Sequence, residues 1–424
     1  MKQRYSEYSH GLAWLAADAC FAGKWTRRDV LAFVEKNTGI SRREIWKGEL
    51  DADLHARLEA TDAVAYYIDE MMAQIMASED PEDMEPVRIA RRPDGMTGKV
   101  REIASLCIPH QLLGHVAVLM LKPLLDARIL PSQHASIPGR GQTGLKRQAG
   151  RILRRKSLDI RFVVKTDAVH AYGTTMYREI VTMLEEEIPA AKELLQLLRY
   201  LASLAPGGHL IIGGYLDAWL FNLFMSYALR HVLAQGRIRR GRFLRDVIRT
   251  ESYMDDVGLM SRTPSGLKRG MRAMAAWFAG HGMAIKQTSG IIPILSAEEE
   301  RHRRKETRPA RRGCPALDMG GYLIHRTYVT IRPRVVKRTI RAFRRAWEEL
   351  KRTGTIQRQR AESLAGRYGP IQQTNSARFR EKYHVREVMQ TALHVQAFWA
   401  RERARKERRR LEHAVYGNAG HAAA

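Results

Sequence analysis

Cysteine is nearly absent from this chain. Cys20, Cys107 and Cys314 are the only three in 424 residues, and they lie far apart with no Cys-x-x-Cys pair. That argues against a disulfide framework or a thiolate zinc site and makes a reducing, cytoplasmic compartment the expectation. Long apolar runs are missing too. The longest uncharged stretch, Ile103 to Leu121, holds Pro109, His110, Gln111 and His115. A lipid-facing helix would not carry these, so the stretch reads as buried and no membrane partner is expected. The moderately apolar segment 11–23 is broken by Asp18 and lacks a strong hydrophobic region, so no export is expected. Acidic residues are in deficit: 45 Asp and Glu face 72 Lys and Arg, a formal net charge of +27. Hydrophobic residues make up 45%, enough for a sizeable core. The excess charge therefore belongs to a folded protein, of two or three domains, with a polyanionic partner, nucleic acid first.

Periodicity divides the chain. Residues 1–85 read as a helical N-terminal extension, with apolar spacing in Leu12–Phe21, Val30–Val34 and Val64–Met76, closed by the acidic linker Ser78-Glu79-Asp80-Pro81-Glu82-Asp83. Residues 86–330 alternate short strand-like runs with amphipathic helices, punctuated at Pro93-Asp94-Gly95, Pro138-Gly139-Arg140-Gly141 and Pro206-Gly207-Gly208. Residues 331–412 turn helical again. Val336, Ile340, Phe343, Trp347 and Leu350 form one stripe there, and Lys337, Arg338, Arg341, Arg344 and Arg345 cover the rest of the circumference. One face packs and the other is free for phosphates. Residues 413–424 read as a disordered tail. The scattered histidines, His110 and His115 among them, have no metal-ligand spacing.

The chemistry sits in three carboxylates. The β-type run Phe162-Val163-Val164 delivers Lys165-Thr166-Asp167 to its C-terminal end. Farther on, Ser252–Met260 reads as a hairpin with Asp255, Asp256 and Gly258 at its bend. Clustered acids repel, and hard divalent cations with oxygen ligands relieve that repulsion. Two Mg²⁺ ions, with Mn²⁺ as the alternative, about 3.5–4 Å apart would serve nucleotidyl transfer. A solvent-exposed hairpin tip is the plainer reading of a lone Tyr-x-Asp-Asp string.

Its company in the right order carries more. Gly98-Lys99-Val100-Arg101-Glu102-Ile103 and Ala135-Ser136-Ile137-Pro138-Gly139-Arg140-Gly141 come first, then Lys165-Thr166-Asp167 with Tyr172. Ile212-Gly213-Gly214-Tyr215-Leu216 opens into Trp219-Leu220-Phe221-Asn222, and Tyr253-Met254-Asp255-Asp256, Ala284-Ile285-Lys286 and Met319-Gly320-Gly321-Tyr322 follow. Over residues 86–345 this series resembles the reverse transcriptases, of the bacterial kind related to group II intron, retron and diversity-generating enzymes. The resemblance implies an α+β fold in the form of a right-hand polymerase, with fingers and palm at 86–330 and a thumb at 331–412. It implies RNA-directed DNA synthesis, in which Asp167, Asp255 and Asp256 hold the metal ions and Lys286 donates a proton to the leaving group. Lys99 and Arg101 would grip the triphosphate, and Tyr172 and Ala218 would line the incoming nucleotide. Gly320, Gly321 and Tyr322 would form the primer grip. A solvated surface cation is the plainer role for each of Lys99, Arg101 and Lys286.

Departures narrow the match. Relatives keep a glutamine against the nucleotide where this chain has Asp217-Ala218, and Asp217 reads instead as the N-cap of the following helix. The retron Asn-Ala-x-x-His and Val-Thr-Gly elements are missing, and the C-terminal segment is too short for the appended domains of intron enzymes. The nearest match is the stand-alone set associated with anti-phage defence. The expected partners are a structured non-coding template RNA, DNA product and deoxynucleoside triphosphates, with a second copy or a partner protein left open. Untemplated or protein-primed synthesis, or a catalytically inactive RNA-binding scaffold or splicing cofactor, are the rivals.

Sugar selection falls to Tyr172, whose ring would clash with a 2′-hydroxyl. A plain core aromatic is the competing role. Tyr172→Val is expected to let the protein incorporate ribonucleotides, read by extension with single ribonucleoside triphosphates; unchanged discrimination would refute the gate.

Overall fold

The first helix opens on a cap: the Ser9 hydroxyl accepts from the Leu12 N–H at 3.3 Å, satisfying one of the orphan donors of a helix start. The structure, a computed structural model, describes residues 4–51, 54–93, 100–286, 290–305 and 314–417. Four helices lead: α1 (His10–Phe21), α2 (Arg28–Thr38), α3 (Arg42–Asp51) and α4 (His55–Met76). Strands β1 (Arg88–Pro93) and β2 (Val100–Ser105) pair antiparallel, and α5 (Ile108–Arg128) and α6 (Gln142–Arg154) follow. The central segment runs β3 (Phe162–Asp167), α7 (Ala171–Thr174), α8 (Tyr177–Glu187), α9 (Lys192–Leu204) and α10 (Tyr215–Ala234). It continues through β4 (Gly236–Arg239), β5 (Arg242–Arg245), β6 (Arg249–Tyr253), β7 (Asp256–Ser261), α11 (Pro264–Gly280), β8 (Ile292–Pro293) and α12 (Ala297–Lys305). Three short strands, β9 (Leu317–Met319), β10 (Tyr322–Ile324) and β11 (Val329–Ile331), precede α13 (Pro333–Thr353), α14 (Arg358–Gln372), α15 (Ala377–Lys382) and α16 (Val385–Tyr416). Helices with small antiparallel sheets make this an α+β chain.

The sheet that matters has the order β6-β7-β3-β8, every neighbour antiparallel. Alternation along its strands splits the side chains between two cores. Val164, Val257 and Leu259 face the larger core, shared with α5, α9, α10, α11 and the N-terminal helices. Val163 and Met260 face a smaller one built with Leu145 and Leu153 of α6 and with β9 and β10. A third core, around Phe343, Leu364 and Val388, gathers α13, α14 and α16 with Ile331 of β11.

The N-terminal helices are therefore no appendage. Leu12, Ala16, Val64 and Ile68 share one continuous core with Leu113, Leu198 and Phe221. The apolar run containing His110 becomes α5, which is long and apolar enough to cross a membrane, but Leu112, Leu113, Val116 and Leu121 are all buried within the protein. The stripe read for residues 336–350 holds: Phe343 is buried, and Lys337, Arg338, Arg341, Arg344 and Arg345 are exposed.

Two expectations change. The tail read as disordered is helical as far as Tyr416, where α16 reaches α3: Arg43 Nε donates to the Val415 carbonyl at 2.9 Å and the Tyr416 hydroxyl to Asp51 at 3.2 Å. Residues 418–424 lie outside the described residues. Gly258 is not at the hairpin bend but inside β7, opposite Lys165 and Glu251. Its reason is packing, since a Cβ there would stand 2.6 Å from Met319 Sδ. Gly258→Val is expected to cost about 1–3 kcal/mol of stability by overpacking this junction, measured by urea unfolding.

Candidate active site

Register builds the site. In the β3–β7 ladder Asp167, last residue of β3, faces Asp256, first residue of β7. Asp255 sits in the turn just before, after Met254, which adopts a left-handed φ of 55°. The turn is tight, so two consecutive acids and a third from the next strand are forced together.

The three do not share one electrostatic state. Burial pushes the Asp255 carboxyl up to about 7, and its hydrogen bond with Asp167 and the charge of Asp167 push the same way. On Asp167 burial also pushes up, but that hydrogen bond and the Lys286 ammonium outweigh it and hold the group below the usual carboxylate range. Lys286 Nζ lies 2.7 Å from Asp167 Oδ2, and its backbone N–H donates to the Asp167 carbonyl at 2.7 Å. Asp256 is raised, chiefly by burial and against the pull of Lys165, whose Nζ is 2.9 Å away. Two oxygens remain buried without a hydrogen-bond partner: Asp167 Oδ1 and Asp256 Oδ1. Leaving such atoms unsatisfied is costly.

All-oxygen donors of this kind suit a hard cation. As the side chains stand, no group of three or more His, Cys, Asp and Glu among the described residues is arranged to hold a metal ion. Lys165 and Lys286 pair with the other oxygens of these two carboxylates, Asp256 Oδ2 and Asp167 Oδ2.

The sequence candidates distribute unevenly. Tyr172 joins the site: its ring stacks on Phe221 of α10, with centroids 5.0 Å apart, and its hydroxyl lies 3.7 Å from Met254 Sδ. Ala218 is on the same helix, one turn before Phe221, and its carbonyl accepts from the Asn222 amide at 2.9 Å. Gly320 and Gly321 form the turn between β9 and β10, at φ values of 55° and 85° that favour glycine. Tyr322 follows, buried, with Lys146 Nζ 5.6 Å from its ring centre. This hairpin leans on the site, because Met319 and Leu317 fill the space over Gly258. Arg101 stands apart on exposed β2, a strand joined to the segment before α10 by Ala104 N–H to the Ile212 carbonyl at 2.8 Å. Lys99 lies outside the described residues.

Asp217 does not cap α10. The cap is Gly214, and Asp217 is buried in the first turn, accepting from the Ile211 N–H at 2.8 Å and the Tyr177 hydroxyl at 2.9 Å. Its Oδ2 occupies the place a Cβ on Gly214 would take. A polar residue in a first turn reads as a cap from sequence, and only the fold reveals that it faces inward.

Sequence reading also missed Lys165, although its position two residues before Asp167 puts both on one strand face. It missed the buried pair His134–Glu251 as well, joined Nε2 to Oε2 at 2.6 Å. Burial pushes Glu251 up to about 9 and His134 down to about 4, so the pair is neutral at pH 7. With His134 N–H bonded to the Ser252 carbonyl at 3.1 Å, it fastens the 134–141 segment to β6, the strand leading to the aspartates. The chain matches no protein-family model and no curated protein.

The raised Glu251 makes stability depend on pH. The folded state keeps a proton that the unfolded state releases from about 4.5 upward, so this contribution drains away as pH rises toward about 9. Glu251→Gln, which keeps a hydrogen-bonding partner for His134, is expected to remove that loss. Its thermal midpoint should gain on the parent protein progressively between pH 5 and pH 9; parallel curves would contradict the assignment.

Proposed function

We propose that this chain is a reverse transcriptase, an RNA-directed DNA polymerase of right-hand design. Residues 331–412 would act as its thumb and the β6-β7-β3-β8 sheet as its palm. The observation that carries the reading is the convergence of Asp167 with Asp255 and Asp256, with one unsatisfied buried oxygen on each of Asp167 and Asp256. Fold alone would not support an activity, but this donor set is costly to keep without a cation.

Asp167, Asp255 and Asp256 would hold two Mg²⁺ ions. When bound, such ions activate a primer 3′-hydroxyl and stabilise the leaving oxygen of an in-line displacement. The protein's own groups supply the rest. Lys286 and Lys165 balance the carboxylates in the resting site and become available to phosphate oxygens or the leaving group once those carboxylates are otherwise engaged. Tyr172, braced against Phe221, presents a flat ring beside the catalytic turn, which supports its role in excluding the ribose 2′-hydroxyl. The exposed Lys337, Arg338, Arg341, Arg344 and Arg345 on α13 suit a hybrid held through its backbone, sequence-independently and with strong salt dependence.

Extension of a DNA primer on an RNA template in Mg²⁺ and deoxynucleotides tests this reading. Asp255→Ala with Asp256→Ala is expected to lower the rate at least about 100-fold while thermal stability is kept or raised, since repelling acids are removed. Synthesis that persisted in the double variant would overturn the site; bound RNA with no DNA made by the parent protein would favour the scaffold.

A further inference from the structure

Between α10 and β6 the chain extends a two-stranded ribbon, β4–β5, on which every strand residue is exposed. Arg240 and Gly241 make its turn, at φ values of 49° and 71°. The register pairs Arg237 with Leu244, Ile238 with Phe243 and Arg239 with Arg242. Strand alternation then sorts the side chains: Arg237, Arg239, Arg242 and Leu244 on one face, Ile238, Phe243 and Arg245 on the other. Ile238 is 78% exposed and Phe243 56%. Phe243 lies across Gly236, where a Cβ would stand 2.4 Å from its Cζ.

An isolated hairpin is marginal in water, and an uncovered aromatic and isoleucine at its tip call for a partner. Charge says which kind. Among the described residues no carboxylate forms an ion pair with the ribbon arginines, and the neighbouring Asp246 is held by Arg269 at 2.5 Å. The cationic surface continues below the ribbon. Two cavities of about 640 and 380 Å³ share Arg245 and Arg249, and Arg151 and Arg155 line the first while Arg237 and Arg262 line the second.

This surface is not the catalytic cleft. Arg249 begins β6 and the aspartates lie level with its far end, where Tyr253 pairs with Asp256, so four strand steps (253 − 249) at about 3.4 Å each separate them by roughly 14 Å. We propose that the ribbon and the arginines at its foot form a second nucleic-acid site, which holds a single-stranded stretch of polynucleotide away from the carboxylates. The arginine face meets phosphates and the Phe243–Ile238 face supports unstacked bases. A duplex hides its bases and would leave that second face unused. The choice of RNA over DNA rests on the template proposed above; the site itself rests only on charge, exposure and position.

The test is a binding measurement that needs no synthesis. A short RNA–DNA primer–template, with and without a long single-stranded tail, is titrated against the full chain by fluorescence anisotropy across a salt series, with RNA and DNA tails compared. The parent protein is expected to bind the tailed form more tightly. Arg237→Ala/Arg239→Ala/Arg242→Ala should abolish that advantage and lower the log–log salt slope by about 2, at roughly 0.7 per phosphate contact. Phe243→Ala should weaken tail binding about tenfold with the slope unchanged. Both variants lie on exposed positions, should keep the parent's melting temperature, and should bind the untailed form normally. A tail advantage that survives the triple variant, that never appears in the parent protein, or that a duplex tail reproduces equally would overturn the proposal. An acidic protein partner would show itself by the first or second of these. Because Asp255→Ala/Asp256→Ala can serve as the background throughout, the result stands or falls separately from the polymerase reading.

Discussion

The pairing of β3 with β7 is the constraint on which the site depends. It sets Asp167 opposite Asp256, and a slip of one residue would turn every side chain of β3 to the wrong sheet face. That register is held by burial on both faces: Val164 into the larger core, Val163 into the smaller. Moving either valine strands apolar surface in a place made for something else. The repulsion among the carboxylates is thus opposed by packing a few residues away, and Lys165 and Lys286 relieve what remains. The aspartates do not hold the strands together; the strands hold the aspartates.

Much of this was legible in sequence because it rests on local pattern. The helical stripe of α13, the apolar run that became α5, the short strand ending at Asp167 and the paired acids near a bend all have a period or a turn signature. The placement of Gly258 was misread because glycine is a turn residue locally, whereas here it answers a contact with Met319, 61 positions later by count (319 − 258). Asp217 was misread for the same reason. Its inward orientation follows from the nearby Ile211 N–H together with Tyr177, which lies 40 positions away and which no local window contains. Long-range pairing is what a single sequence conceals: His134–Glu251 and the docking of Tyr416 on Asp51 have no periodic mark.

The glycines around the site show a common economy of space. Gly213 has φ 112° and would bring a Cβ within 2.9 Å of the Ala104 carbonyl, while Gly214 leaves room for the Asp217 carboxyl. Together they let β2 lie against the start of α10, and α10 in turn carries Phe221 to Tyr172. The hairpin bearing Arg101 is therefore tied through backbone contacts to the helix beside the carboxylates, even though its side chains stand away from them.

The seating of α16 on α3 has a bearing on how the chain is made. Asp51 and Tyr416 are 365 positions apart, so their contact closes almost the whole polypeptide into a loop. Such closure is entropically expensive to reach from an open chain and becomes available only after the last helix has left the ribosome. α3 packs early on α2 and α4, but the face that α16 covers must wait exposed through nearly all of synthesis before its final neighbour arrives. The opening helices of this protein are thus born early but finished last.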